Sequence, residues 1–331
     1  MKHIKSIPEF TMATLLGIVS VAFAEIPDPR KRKVSFSLRT TLMAMLAMFS
    51  MKFRSLRLFD QLRDNKVVLY NLQKLYGVNK IPSDSSTREL LDKVDPSLLE
   101  SAYHHLHHHV EQHGGLELYR YLNDHILITI DGSGYFSSNT IHCPHCCIRT
   151  HRNGQVEYYH QLLTAAIVHP GLRQVLPLSP EFILRDDGNN KNDCEINALK
   201  RMLKKIRKLY PTLKIIVLLD GLYASGPTLK SLKEGDFRYI IVLKEKTHEA
   251  LFEIVQENLR SGKIEEFEVQ DKETVRGYRY LNGVPLNETH PDILVNYLDH
   301  WEITYDKEGN EKNNYSVFMD YGSPLGIREC A

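Results

Sequence analysis

The pattern that organises this chain is an apolar, β-branched run that ends in an acid. Ile126-Leu127-Ile128-Thr129-Ile130 leads into Asp131-Gly132-Ser133-Gly134. The run predicts a buried strand that delivers a carboxylate to a sheet edge, followed by a turn whose glycines keep the backbone close to a bound group. The same logic recurs at Lys214-Ile215-Ile216-Val217-Leu218-Leu219-Asp220-Gly221. Between the two acid strands, residues 158–169 and 172–178 read as strands joined by the turn signal Pro170-Gly171. A helix follows, capped by Asn192 or Asp193, with Ile196, Leu199, Leu203, Ile206 and Leu209 as its apolar stripe and Pro211 beyond its end. After the second acid strand come a short helix over 226–233 and a strand over 237–243. Four further strands are expected at 263–269, 275–281, 293–305 and 315–321.

The first third of the chain is helical in pattern. Over 37–62, Leu38, Leu42, Met45, Leu46, Phe49, Phe53, Leu56 and Phe59 recur at three- and four-residue steps, with a break near Ser50. Met43, Met45, Met48 and Met51 read as core filler. Ser86-Thr87-Arg88-Glu89 has capping-box spacing, and Asp95-Pro96 sets an N-cap before a proline at the first helical position, so two more helices fit between about 86 and 122. The N-terminal stretch 12–24 is apolar and ends in the small-x-small pattern of a signal-peptide cleavage site, but it is too short to span a bilayer. A buried helix is the simpler reading, and Pro27-Asp28-Pro29 ends it.

Composition narrows the picture modestly. A chain of 331 residues buries a substantial core and divides into domains; the pattern suggests a helical region at 1–122, an α/β core at 123–262 and a β-rich segment at 263–331. Lys+Arg number 42 and Asp+Glu 41, so any surface for nucleic acid must be local. Three of the five cysteines cluster at Cys143, Cys146 and Cys147, which argues for a metal knuckle or reduced thiols over a disulfide framework.

The chemistry follows from these positions. Asp131 and Asp220 lie 89 positions apart, and two strand-end carboxylates in one sheet suit a hard divalent cation such as Mg²⁺ or Mn²⁺. Cys143, Cys146, Cys147 and His151 are candidate zinc ligands. A tetrahedral site wants four, and beyond the Cys-x-x-Cys pair the remainder comes from Cys147, His145, His151 or a distant residue. His104 with His108 and His105 with His109 have the spacing of a helical ligand pair, but no HExxH glutamate follows, and an exposed polar face is the preferred reading. Arg30, Lys31, Arg32 and Lys33 open the helical region, Arg152 follows the cysteines, and Lys204 lies on the basic face of the 193–209 helix. These are the candidate phosphate contacts.

Several of these stretches together resemble a known family. Asp131-Gly132-Ser133-Gly134-Tyr135-Phe136-Ser137-Ser138, the Cys-x-x-Cys-Cys segment, Arg152-Asn153-Gly154, Tyr158-Tyr159-His160-Gln161 and Lys191-Asn192-Asp193-Cys194-Glu195 are similar to bacterial insertion-sequence transposases of the DDE type. Upstream, Ile26-Pro27-Asp28-Pro29-Arg30, Met48-Phe49-Ser50-Met51-Lys52-Phe53 and Asp92-Lys93-Val94-Asp95-Pro96 share the resemblance, which runs from residue 26 to about 320. It implies an α/β, ribonuclease-H-like mixed sheet with flanking helices and a β-rich insertion. It also implies strand cutting and joining by two-metal phosphodiester chemistry on DNA, both the terminal inverted repeats of an element and its target, by a homo-oligomer in the cytoplasm without membrane contact.

By that resemblance Asp131 and Asp220 are the first two catalytic carboxylates. The third would be a glutamate on a helix after the insertion, and no such motif is found before Ala331; Glu329 has no helical sequence around it. The expectation is therefore a transposase truncated before its last catalytic element and impaired. The alternative is a non-catalytic DNA-binding remnant that occupies element ends or joins intact subunits. A phosphatase with an aspartyl nucleophile is disfavoured, because Ser133 stands where that chemistry wants a second Asp.

Overall fold

In the computed structural model, residues 8–31, 35–185, 193–271 and 274–305 are described, together with the backbone of 311–321. Arg32, Lys33, Asn192 and the stretch around Glu329 lie outside the described residues. The chain divides into two compact units, Met1–Leu118 and Tyr119–Ala331.

The first unit is helical. The Thr11 hydroxyl accepts the Thr14 N–H and starts α1 (Met12–Glu25). The signal-like stretch is thus a helix that packs Val19, Ala22 and Phe23 into a core shared with Leu38, Leu42, Met45 and Leu72. Ser37 caps α2 (Leu38–Ser50), which buries Met43, Met45 and Met48. It stops at the expected break: Lys52 turns into the left-handed region at φ 61°, and Ser55 caps α3 (Leu56–Gln61). Asn65 caps α4 (Lys66–Tyr76), which ends at Gly77 with φ 66°, a conformation that favours glycine. The cap of α5 (Asp84–Leu91) is Ser83 and not Ser86; the Ser83 hydroxyl accepts the Ser86 N–H, so the helix begins one turn earlier than the capping-box reading placed it. Asp95 accepts the Ser97 N–H ahead of Pro96, and the resulting turn runs into α6 (Glu100–Gln112).

The histidines of α6 are not a uniformly exposed face. His107 is buried, His105 lies 3.4 Å from Glu25, and Nε2 of His109 lies 2.8 Å from the Glu9 carbonyl oxygen. They serve the packing of α6 against the N-terminal segment.

The second unit is built on one mixed sheet. Its centre is β2 (His125–Ser138), joined at one end by the short β1 (Arg120–Tyr121). β4 (Val156–Val168) runs antiparallel to β2, and β3 (Cys147–Thr150) pairs with the start of β4. Beyond the Pro170-Gly171 turn the strand expected at 172–178 shortens to β5 (Leu176–Pro177), and a second short strand outside those bounds, β6 (Glu181–Ile183), follows; both are antiparallel to β4. Next comes α7 (Glu195–Leu209), followed by β7 (Ile215–Leu219) parallel to β2. α8 (Gly226–Glu234) leads to β8 (Arg238–Val242), parallel to β7. The order β6-β4-β2-β7-β8, with antiparallel strands first and helix-linked parallel strands after, is that of a ribonuclease-H-like α/β fold. β7 is buried along almost its whole length, as a central strand covered on both faces requires.

α9 (Glu249–Arg260), an element beyond those the sequence pattern predicts, buries Leu251, Phe252 and Val255 at helical spacing. The four late strands form an antiparallel meander of β9 (Glu265–Asp271), β10 (Thr274–Asn287), β11 (His290–Tyr305) and β12 (Glu311–Tyr321). β12 pairs with β8 at Met319↔Val242, so the meander extends the same sheet.

Candidate active site

The register between β2 and β7 decides the geometry. The pairs run from Ile126↔Ile215 to Thr129↔Leu218, and Asp131 and Asp220 each follow the last pair by two residues. Two carboxylates distant in sequence therefore stand at the same level, Asp220 just past the end of β7 and Asp131 within β2. The turn expected after Asp131 does not form: Gly132-Ser133-Gly134 stay paired with β4, and β2 runs on to Ser138. In open α/β sheets, ligands collect at the carboxyl ends of parallel strands, where Asp220 lies. Both acids are exposed, and each has one oxygen held by backbone. Oδ1 of Asp131 accepts the Gly132 N–H at 2.8 Å, and Oδ1 of Asp220 accepts the Leu222 N–H at 2.9 Å. Nζ of Lys244 lies 3.8 Å from Oδ2 of Asp220.

A third carboxylate arrives from α7. Glu195 is the first residue of that helix, and its side chain lies over Gly132; a Cβ added at Gly132 would come within 2.6 Å of Oε1 of Glu195. The fully buried Tyr223 donates its hydroxyl hydrogen to Oε2 of Glu195 at 2.9 Å. Burial pushes the Tyr223 phenol well above its ordinary range, and the charges of Glu195, Asp220 and Asp131 push it further. All three acids thus act on one phenol, which stays protonated as the donor that orients Glu195.

In the sequence Glu195 closes the Lys191-Asn192-Asp193-Cys194-Glu195 motif, which by itself assigns it no role. The available signal was an acid in the first turn of a helix that follows the acid strand. Nor is Asp193 the cap: Cys194 holds that position with no side-chain capping bond. Asp193 is buried and bonds the side chains of Arg201 at 2.8 Å and Asn197 at 3.0 Å.

The cysteine segment forms a separate cluster. Cys143, Cys146 and His160 bring their ligand atoms within 4.8 Å of one another, the only three-residue group of metal-ligand type to do so among the described residues. Cys147 and His151 are not part of it. Cys147 opens β3 and is buried, its thiol directed at the Ile183 carbonyl at 3.5 Å; His151 lies beyond the strand and binds Oε2 of Glu157 at 3.0 Å. His160, on β4, is the distant residue that the fold places beside the Cys-x-x-Cys pair.

The candidate phosphate contacts are scattered. Arg30 is committed to Asp28, at 2.9 and 2.7 Å, and to the Phe36 carbonyl, while Asp28 also accepts the Leu38 N–H. This staple fixes the entry to α2. Lys31 and Arg152 are exposed. On α7, Arg201 and Lys205 bind Glu181, and Arg207 binds the carbonyls of Gly235, Asp236 and Leu213. Lys204 is exposed and lines a groove between α7 and α8 with Lys200, Lys208 and Lys230.

No family model matches the sequence, and no curated protein matches it. Among solved structures the fold is similar to the piggyBac transposase in a synaptic complex with hairpin DNA, at 13% identity and a TM-score of 0.38. The match covers 94% of this chain and 59% of that one, so the chain spans about three fifths of the length of its structural neighbour. A likeness this distant leaves function to the residues themselves. No helix among the described residues is long and apolar enough to cross a membrane.

Proposed function

We propose that this chain is a DDE-type transposase that cuts and rejoins DNA with Asp131 and Asp220 as metal-binding carboxylates. The observation that carries the reading is the in-register delivery of Asp131 and Asp220 from adjacent parallel strands of a ribonuclease-H-like sheet. The sequence resemblance to insertion-sequence transposases supplies the substrate class. The donor set fits a hard divalent cation: the ligands are carboxylate oxygens, half-exposed, with one oxygen of each aspartate pinned by a backbone N–H. Asp131 and Asp220 would hold Mg²⁺ or Mn²⁺, and Glu195 is the third acid at the site. The bound cation supplies Lewis-acid activation of the attacking oxygen and charge stabilisation on the phosphodiester.

The chain's own residues set up that chemistry. Tyr223 orients Glu195, Gly132 leaves room for its carboxylate, and the backbone N–H groups of Gly132 and Leu222 fix the two aspartates. Lys244 sits beside Asp220, where it moderates the negative charge. Lys204 and Arg152, with Lys31 of the helical unit, are the proposed phosphate contacts. The same reading makes the protein a cytoplasmic homo-oligomer on the terminal repeats of its element.

The test has a binding arm and an activity arm. Mn²⁺ binding by calorimetry is expected for the wild type and is expected to weaken at least about tenfold in Asp131→Asn and Asp220→Asn. Strand nicking on DNA that carries the element's end is expected to need Mg²⁺ or Mn²⁺ and to be lost in the same variants. Unchanged Mn²⁺ affinity in both would overturn the proposal.

A further inference from the structure

The cluster at the far end of the β2–β4 hairpin has the dimensions of a metal site. Sγ of Cys143 and Sγ of Cys146 are 3.7 Å apart, and each lies 3.2 Å from Nε2 of His160. A tetrahedral zinc ion, with Zn–S near 2.3 Å and Zn–N near 2.0–2.1 Å, sets S···S edges at about 3.8 Å and S···N edges at about 3.6 Å. The three atoms outline one face of such a tetrahedron to within about 0.4 Å. We propose that Cys143, Cys146 and His160 bind a structural zinc ion that clips the 139–147 loop to β4.

The chemistry of the donors supports zinc over the alternatives. The sulfurs are too far apart for a disulfide, and both cysteines are free thiols. Without a metal, Nε2 of His160 faces only two weak sulfur donors, each at 3.2 Å. With Zn²⁺ bound, two thiol protons leave, the thiolates neutralise the dication, and the imidazole coordinates through Nε2 with its proton on Nδ1. Stacking against Tyr135, at 5.7 Å and 15°, holds the ring in the orientation that aims Nε2 at the sulfurs. The fourth position falls to water or to His145, an exposed residue of the intervening turn.

The ion has a structural task. His160 pairs with Phe136 and Thr164 with Asp131, so the cluster lies four residues, about 13 Å along the strand, from the candidate active site. A bulge interrupts β2 between Gly134 and Phe136, opposite His160, where the ladder alone holds the strand least firmly. The clip secures this end of the hairpin.

The experiment is metal analysis of the full chain purified without chelator or affinity metal, with zinc release followed on thiol modification. One zinc per chain is expected. Cys143→Ser, Cys146→Ser and His160→Ala are each expected to lose it and to melt at lower temperature, whereas Cys147→Ala and His151→Ala keep it. Retention in His145→Ala assigns the fourth position to water, and loss assigns it to that imidazole. Because a variant could fail to fold, Co²⁺ is also titrated into the reduced, metal-stripped wild type; a tetrahedral visible spectrum with a thiolate charge-transfer band is expected. Absence of zinc together with no cobalt spectrum, zinc retained in the three ligand variants, or a Cys143–Cys146 disulfide found by mass spectrometry would each overturn the proposal.

Discussion

The hydroxyl of Tyr223 reaches Oε2 of Glu195 at 2.9 Å, joining the turn after the second acid strand to the first residue of α7. The phenol is fully buried and is the group through which Glu195 is held near Asp131 and Asp220. Tyr223→Phe keeps the ring and removes the donor. Stability should fall by about 1–2 kcal/mol, the usual cost of leaving a half-buried carboxylate without its donor. Metal-dependent nicking should fall further in Glu195→Gln than in Tyr223→Phe. Equal activity in Glu195→Gln and wild type would remove Glu195 from the site.

Gly132 tests the same contact from the other side. A methyl group there would meet the Glu195 carboxylate at 2.6–2.7 Å, and the end of a flexible side chain can swing away. Gly132→Ala should therefore fold yet displace Glu195 and reduce activity. In a Glu195→Ala background the same change should add little further loss. A double-mutant cycle measures this coupling, and strict additivity would argue against contact.

Alkaline melts report the second unit. Burial raises the pKa values of Tyr223 and Tyr297 far above the ordinary phenol value, with Glu195 adding to the first and Asp299 to the second. The folded state holds these protons more tightly than the unfolded state. Their contribution is complete below the unfolded pKa of about 10 and is lost as pH rises beyond it. Thermal melts from pH 8 to 11 should show Tm falling above about pH 10, less steeply in Tyr223→Phe and Tyr297→Phe.

Acid melts report the first unit. The Arg30 guanidinium beside Asp28 holds its carboxyl well below the usual range. Asp28 thus contributes stability that is present above the unfolded pKa of about 3.9 and is lost as pH falls toward the folded value. The pair is partly solvated, so Asp28→Asn should cost about 1 kcal/mol at neutral pH and flatten the loss of stability below pH 4. An unaltered acid profile would mean the staple is not formed in solution.

Gly277 and Trp301 pair across β10 and β11, and the indole lies where a side chain at 277 would project. Gly277→Ala forces the indole from the sheet face and should destabilise the meander by about 1–3 kcal/mol, as overpacking does. Hydrogen exchange along β10 and β11 would locate the loss; protection equal to wild type would refute it.

What the sequence alone determined was local and periodic. The apolar runs set the two acid strands, the stripe with its break near Ser50 set α2 and α3, and the late pattern set four strands, whose pairing into a meander came only with the fold. The boundaries moved where capping decided them, as at Ser83 and Cys194. Asp131 and Asp220 were legible because each ends an apolar run in the sequence. Glu195 and His160 were not, because neither lies in a local pattern that announces its role. Glu195 meets the site through the packing of α7 on the sheet, and His160 meets Cys143 and Cys146 through the antiparallel register of β2, β4 and β3. Periodicity fixes which face of its own element a residue occupies; strand register and helix packing fix which distant residue stands opposite, and only folding supplies those.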